Sequence, residues 1–322
     1  MTPSDSERAD TSSPGAEGSQ AQPALARART EFDELVKNVR VDLHRYCSRM
    51  IGSVIDGEDV VQDTLAKAFF MLPKVGPVAE LRPWLFRIAH NKSVDFLRRY
   101  DRQFGEPLDE HPVAAEASDP LDEGEAAEVA LSWYLKLTAL QRSCVILMDV
   151  MDYSLAEISE LLDMSIPAIK GALHRGRAAL RAQAGAASTA ARADLDPAEA
   201  KLLARYVEHF NGRDFDALRD LLADDARLEV VGRTSARGVQ GVGSYYGNYE
   251  RIQGWRVVLG AVDGRAALLG YDGDAVLPDG GVAPGAKPTF FILVQWQSGR
   301  IQSIRDFRYA RHTMELAQLA FA

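Results

Sequence analysis

The sequence predicts a multidomain protein, in which two all-α helical domains precede a C-terminal α+β domain with a curved antiparallel sheet. Three observations predict it. Between residues 29 and 182, apolar residues recur every three or four positions, which is typical of amphipathic helices. Residues 105–128 interrupt that pattern with three prolines and nine carboxylates, as an extended linker would. After residue 197, one helical stretch leads into strand-like runs separated by Asp-Gly and Ser-Gly turns.

Composition shifts divide the chain into six expected segments. They are a disordered tail (1–28), a first helical domain (29–104), an acidic flexible linker (105–128), a second helical domain (129–182), a connector (183–196) and the α+β domain (197–322). The tail is rich in Ser, Ala, Gly, Pro and charge, and offers little to bury. The strand-like runs begin near residues 226, 254, 265, 288 and 300.

The net charge of −9 comes from 37 basic and 46 acidic residues, and it equals the charge of the linker alone. An acidic total therefore does not exclude nucleic acid as a partner. Cys47 and Cys144 both lie in apolar helical patterns, which indicates free thiols in a reducing compartment. No apolar run approaches the ~20 residues of a membrane span. We expect a soluble, cytoplasmic protein without a membrane partner.

The second helical domain carries the strongest local motif, a helix-turn-helix. Ser154 and Glu157 form a capping-box pattern before one helix, and Ser165 is placed to cap the next. Between Ser165 and Arg181 there are cations and no acid, whereas an ordinary solvated helix mixes both signs. The second helix of such a motif enters the major groove. The expected DNA contacts are Ser165, Lys170, His174, Arg175, Arg177 and Arg181.

The first helical domain contains a basic helix over residues 83–102 and an acidic one from residue 56. In the basic helix, cations alternate with Trp84, Phe86 and Phe96, which either support unstacked bases or, more commonly, belong to the core. The acidic set is either simple N-terminal capping or a docking face for a basic protein, and spacing alone leaves both open. That set is Asp56, Glu58, Asp59, Gln62 and Asp63.

Three blocks of the chain resemble a known family. IGSVIDGEDVVQDTLAKAF, LRPWLFRIAHNKSVDFLRRYDR and LTALQRSCVILMDVMDYSLAEISELLDMSIPAIKGALHRGRAALR resemble regions 2 and 4 of bacterial extracytoplasmic-function (ECF) sigma factors of the sigma-70 superfamily. The resemblance covers about residues 30–182, with the blocks in the family's order. It implies promoter-specific transcription initiation with promoter DNA and the RNA polymerase core as partners.

The resemblance also implies roles for particular residues. The acidic set would dock on the clamp helices of the polymerase β′ subunit, and region 4 would contact the β flap. The helix after Ser165 would read the −35 promoter element, and the acidic linker would run toward the RNA exit channel. The residues expected to read and melt the −10 element are Asn91, Lys92, Asp95, Arg98 and Arg99.

The C-terminal domain is similar to the SnoaL-like, ketosteroid-isomerase-like cone, which some ECF sigma factors carry as a modulator. A Gly-rich motif of one such group is missing, because residues 229–237 read EVVGRTSAR, so that group's mechanism does not transfer. Asp306 lies beside Arg305 and Arg308, which favours a cross-strand ion pair over catalysis. A candidate pocket for a small apolar ligand comprises Tyr245, Tyr246, Trp255, Trp296 and Asp306.

Other chemistry is sparse. His44 and Cys47 lie three residues apart on a helix, but two ligands do not make a metal site, so we predict neither a metal nor a cofactor. Two other functions compete with a sigma factor: a one-component regulator whose cone binds a ligand, and an enzyme with a vestigial DNA-binding half. Residues 30–104 discriminate the sigma factor from the regulator, because an operator-binding regulator needs neither the acidic set nor a second basic helix.

Overall fold

The computed structural model describes residues 36–37, 39–75, 80–104, 131–183 and 196–321. The predicted tail (1–28) and acidic linker (105–128) lie outside the described residues, as does the predicted connector apart from residues 183 and 196.

The first domain consists of three helices. They are α1 (helical over residues 36–37 and 39–51), α2 (Val54–Val75) and α3 (Leu81–Phe104). Gly52, with a φ of +81°, makes the turn between α1 and α2, a backbone conformation that suits a residue without a Cβ. The helix expected to start after Asp56 begins two residues earlier, at Val54. Pro83 lies in the first turn of α3, as predicted.

The second domain contains the predicted helix-turn-helix. After α4 (Leu131–Tyr134) and α5 (Ala139–Val145), a π-helical turn (Ile146–Val150) leads to α6 (Leu155–Leu162) and α7 (Ile166–Gln183). The capping box at the start of α6 is confirmed, since Ser154 accepts from the Glu157 amide and the Glu157 carboxylate accepts from the Ser154 amide. Asp163, at a φ of +54°, ends α6 and allows the turn into α7.

The two helical domains share one hydrophobic core. Tyr46 and Phe86 of the first domain pack in the same buried cluster as Tyr134 and Tyr153 of the second. The fully buried Arg142 of α5 crosses between them. Its Nη1 donates to the Met50 carbonyl of α1, and its Nη2 donates to the carbonyls that follow α4, at 3.1 Å (Leu135) and 3.0 Å (Leu137). The sequence did not predict this packing.

The C-terminal domain is the predicted α+β fold. Two helices, α8 (Pro197–Asn211) and α9 (Phe215–Asp220), precede the sheet, and α10 (Gly238–Arg251) lies between its second and third strands. The described strands are β1 (Leu222–Val230), β2 (Thr234–Arg237), β3 (Trp255–Val262), β4 (Arg265–Asp272), β5 (Phe290–Gln297), β6 (Arg300–Asp306) and β7 (Leu319–Phe321).

Within the described residues, the strands form one sheet in the order β2-β1-β6-β5-β4-β3-β7. Every pair is antiparallel except β1 with β6, which is parallel. All five strand-like runs of the sequence are strands, while β2, β7 and α10 were not predicted. The helical signal of α10 is weak because four glycines interrupt it, and glycine is a poor helix former.

Cys47 and Cys144 are both buried free thiols in the described residues. Among the described helices, none is both long enough and apolar enough for a membrane crossing.

Candidate functional site

The acidic set of α2, Asp56, Glu58, Asp59, Gln62 and Asp63, is called the α2 acidic face here. The C-terminal domain lies directly on it. Asp56 binds Arg265 of β4 at 2.6 Å, and Asp59 binds Arg305 of β6 at 2.5 Å. Gln62 donates its side-chain amide to Glu229 of β1. The sheet therefore engages Asp56, Asp59 and Gln62 in this structure, while the Asp59 side chain keeps 48% of its surface exposed.

Apolar and backbone contacts extend this interface at the start of α2. Val54 and Ile55 are fully buried in one cluster with Val262 and Phe307 of the C-terminal domain. The free amide of Val54 donates to Asp263 Oδ2 at 2.6 Å, so a carboxylate from the other domain caps α2. Asp263 is a turn residue with a φ of +51°, as the sequence predicted, but its capping contact was missed.

Glu58 is the one fully buried member of the α2 acidic face. Its Oε1 accepts from Arg40 of α1, and its Oε2 lies 3.9 Å from Nε2 of His312 in the C-terminal domain. Burial alone would raise the pKa of Glu58, but the neighbouring His312, Arg40 and His44 outweigh it and lower that pKa, so the carboxylate is charged. The burial of Glu58 was not predicted from the sequence, where it was grouped with the other acidic residues as a helix cap or a docking residue.

Asp63 differs from the rest of the acidic face because it contacts α3 instead of the C-terminal domain. Lys92 Nζ lies 3.3 Å from Asp63 Oδ2, so this expected DNA contact has an ion-pair partner. The other residues assigned to the −10 element are exposed along the same helix: Asn91, Asp95, Arg98 and Arg99. Phe86, in contrast, is buried in the core, and Trp84 and Phe96 pack against it, which is the commoner of the two roles weighed for these aromatics.

The basic residues of α7 gather along one side of that helix. Lys170, His174, Arg177 and Arg181 line a cavity of about 300 Å³ beside Met148. Arg177 is engaged there, because its Nε lies 2.9 Å from Oδ2 of the buried Asp149.

The remaining two residues expected to contact DNA, Ser165 and Arg175, lie at the start and in the middle of α7. Ser165 Oγ accepts from the Ala168 amide at 3.4 Å at the start of α7, as the sequence predicted. Arg175 lies next to Gly171, where an added Cβ would come within 3.3 Å of its guanidinium.

The predicted ion pair of Asp306 is wrong. Asp306 is buried and accepts hydrogen bonds from the hydroxyls of Tyr245 (2.9 Å) and Tyr249 (2.8 Å), while Arg305 and Arg308 bind other carboxylates. Successive strand residues point to opposite faces, so Asp306 faces the inside of the domain and Arg305 faces α2. Burial raises the pKa of Asp306 even though the tyrosines and the Arg308 amide donate to it.

The predicted lining of the pocket in the C-terminal domain is only partly correct. Tyr245 and Asp306 line a cavity of about 270 Å³ together with the arginines Arg233 and Arg308 and with apolar surface that includes Ile252. The other three predicted pocket residues are not among its lining, because the aromatic interior packs against itself: Tyr246, Trp255 and Trp296.

Comparison with known proteins matches three family models to the chain: Sigma-70 region 2 over residues 35–103, Sigma-70 region 4 over residues 135–180, and a SnoaL-like domain over residues 203–304. The chain is also 33% identical over 181 residues to the RNA polymerase sigma factor CnrH of Cupriavidus metallidurans, a match that covers 50% of this chain and 90% of CnrH. This chain belongs to the ECF sigma factors of the sigma-70 superfamily. The resemblance inferred from the sequence is thereby confirmed.

Two further proteins resemble this ECF sigma factor. The ECF RNA polymerase sigma factor SigG of Mycobacterium tuberculosis is 30% identical over 241 residues, covering 67% of this chain; the chain spans 65% of the length of SigG. The crystal structure of the extracytoplasmic function sigma factor SigJ of Mycobacterium tuberculosis has 20% identity and a TM-score of 0.32, covering 85% of this chain and 95% of SigJ. By the residues that the family models match, α1–α3 belong to region 2, α5–α7 belong to region 4, and the domain from α8 onward is the SnoaL-like domain.

Proposed function

We propose that this ECF sigma factor directs promoter-specific transcription initiation by RNA polymerase, and that its SnoaL-like domain restrains it. The α2 acidic face would bind the clamp helices of the β′ subunit, and region 4 the β flap. The exposed side of α3 would contact the −10 element, and the basic side of α7 the −35 element. The observation that carries the proposal is that Asp56, Asp59 and Gln62 of the α2 acidic face bind the SnoaL-like domain, while the basic residues expected to contact DNA lie on other helices.

The contacts between the SnoaL-like domain and the α2 acidic face would restrain the sigma factor. Arg265 and Arg305 supply the positive charge that a basic protein partner would otherwise bring to Asp56 and Asp59. Gln62 is occupied by Glu229, so three members of the face are engaged within the chain. A partner can bind this surface only after these contacts break, and the SnoaL-like domain therefore competes with the polymerase for it.

The packing of regions 2 and 4 supports the same restrained state. Arg87 of α3 donates to the Glu160 carbonyl of α6 at 3.0 Å, so the two DNA-reading domains are in direct contact. Promoter elements at −10 and −35 lie about 25 base pairs apart, roughly 85 Å along the duplex at ~3.4 Å per base pair. In the packed state, α3 and the helices of region 4 lie within about two helix diameters (~20 Å) of each other. They therefore do not reach both promoter elements together. Promoter binding requires regions 2 and 4 to separate.

A small-molecule signal would act at the cavity beside Asp306. Its lining combines Arg233, Arg251 and Arg308 with tyrosine rings and Ile252, so a ligand there would carry both a polar and an apolar part. No catalytic step is assigned to the SnoaL-like domain, because the Asp306 carboxylate already accepts hydrogen bonds from the hydroxyls of two tyrosines.

Run-off transcription with purified core polymerase on promoter fragments tests the proposed function. We expect transcripts that depend on this chain, and more of them when residues 196–322 are removed. Tight, salt-sensitive binding of an operator by the chain without polymerase would instead support a one-component regulator. Turnover of a small molecule that survives loss of residues 1–190 would support the enzyme alternative.

A further inference from the structure

Three potential metal ligands meet at the centre of the interface between region 2 and the SnoaL-like domain. They are His44 of α1, Glu58 of α2 and His312 of the 3₁₀ turn Arg311–Glu315. One ligand atom from each lies within 4.8 Å of the other two. His44 and Glu58 are completely buried, whereas the His312 side chain is 14% exposed, which gives the cluster a path to solvent.

Two polar atoms of this cluster lack a partner. Glu58 Oε2 and His312 Nε2 are buried and have no hydrogen-bond partner among the described residues. They stand 3.9 Å apart, too far for a hydrogen bond but close enough for one ion to contact both at bond lengths of ~2.0–2.2 Å. Buried polar atoms are almost always satisfied, and one shared ion would satisfy both members of this pair.

His44 is prepared for such a ligand. Its Nε2 donates to the Val54 carbonyl at 3.1 Å, an arrangement that orients the ring as the outer hydrogen bonds of metal-binding histidines do.

We propose that His44, Glu58 and His312 form a binding site for a divalent transition-metal ion of the zinc class. Two histidines and one glutamate are a ligand set that zinc uses, with a fourth position left for water. Imidazole ligands favour zinc and its transition-metal neighbours over Mg²⁺ and Ca²⁺, which prefer oxygen. Because Arg40 occupies Oε1 of Glu58, the carboxylate binds the ion through Oε2 alone.

The ion joins the two domains, because region 2 supplies two ligands and the SnoaL-like domain supplies the third. It therefore stabilises the state in which the α2 acidic face is covered. This consequence, unlike the site itself, rests on the proposed function. At a free zinc concentration of a hundred times its Kd, an ion that binds only the covered state weakens polymerase binding by up to about a hundredfold.

Titration calorimetry of the untagged, full-length chain with ZnCl₂ tests the site. We expect one equivalent of zinc to bind, and none when His312→Gln removes the ligand nearest the surface. His209→Gln is the matched control, since His209 belongs to the same domain but pairs with Asp214, and it should bind zinc like the wild type. MgCl₂ should give no binding. Circular dichroism establishes that the variants are folded.

Cobalt(II) provides a second measurement that does not depend on heats. Visible absorption bands of bound Co²⁺ should form with the wild-type chain and be lost with His312→Gln and with His44→Gln. Absence of zinc binding to the wild type, or equal binding by His312→Gln, overturns the metal site. Binding that depends on His312 but leaves polymerase affinity unchanged supports the site and overturns the proposed covering function, so the two failures are distinguishable.

Discussion

Arg305 of the SnoaL-like domain binds two carboxylates at once, Asp59 of region 2 at 2.5 Å and Glu229 of its own sheet at 2.8 Å. The Arg305 side chain is 18% exposed and the Asp59 side chain 48%, so this contact is shielded from water on the side of the sheet only. Glu229 also accepts from Gln62 of region 2. Through Arg305, the surface proposed to bind polymerase is tied to the domain that covers it.

Reversing the charge of Arg305 should expose the α2 acidic face. In Arg305→Asp, three carboxylates would repel one another, and we expect affinity for core polymerase to rise by about tenfold, equivalent to ~1.4 kcal/mol. Fluorescence anisotropy with labelled chain and purified core measures it. Arg219→Asp is the matched control, because Arg219 pairs with Asp216 and Glu250 inside the same domain and should leave affinity unchanged.

The reciprocal change separates covering from docking. Asp59→Lys also breaks the contact with Arg305, but it removes a residue proposed to bind polymerase, so affinity for core should fall. The double variant Asp59→Lys/Arg305→Asp restores the ion pair with reversed charges and should bind core as weakly as Asp59→Lys alone. Full recovery of core binding by the double variant would show that Asp59 does not contact the polymerase.

Arg142 should stabilise the packing of region 2 on region 4. Arg142→Met leaves the carbonyls of Met50, Leu135 and Leu137 without this donor, and buried unpaired groups of this kind cost ~1–3 kcal/mol each. We expect the free energy of unfolding to fall by about 3–5 kcal/mol, measured by urea denaturation. Arg181→Met, on the basic side of α7, should change it by less than about 1 kcal/mol. Equal effects would contradict the role of Arg142.

Asp306 should make stability depend on pH. Its pKa in the folded chain is raised above the ordinary value of 3.8 by burial, so the folded state favours the protonated form. The stabilisation is complete below about pH 4 and is lost as pH rises through the raised pKa, at ~1.4 kcal/mol for each pKa unit. Asp306→Asn cannot ionise, so its free energy of unfolding relative to the wild type should increase from pH 4 upward. A constant difference between pH 4 and 8 would contradict a raised pKa.

The features predicted from sequence depend on residues close together in the chain. The capping box of Ser154 and Glu157 spans four residues, and the strand runs follow from alternation within each segment. The covering of α2 was missed because Asp59 was explained locally by helix capping or polymerase docking and Arg305 by an ion pair with Asp306, and nothing in either segment indicates the other. Asp306 was misassigned although a signal existed, since strand alternation places it on the face opposite Arg305.

The basic residues of α7 should contribute unequally to promoter binding. Lys170 is exposed, so Lys170→Ala should weaken −35 binding by the holoenzyme and reduce the slope of log K against log salt by about 1. Arg177→Ala should also lower the free energy of unfolding, because it leaves the buried Asp149 unpaired. Lys201→Ala, an exposed lysine of α8, is the control. An unchanged slope for Lys170→Ala would remove Lys170 from the DNA contacts.

The affinity for core polymerase of the full chain, compared with that of a chain ending at residue 195, tests the central claim most directly. If the SnoaL-like domain covers the polymerase-binding surface, the shorter chain should bind at least about tenfold more tightly, or ~1.4 kcal/mol, at the same salt concentration. Equal or weaker binding by the shorter chain would contradict the claim that this domain restrains the sigma factor by covering α2.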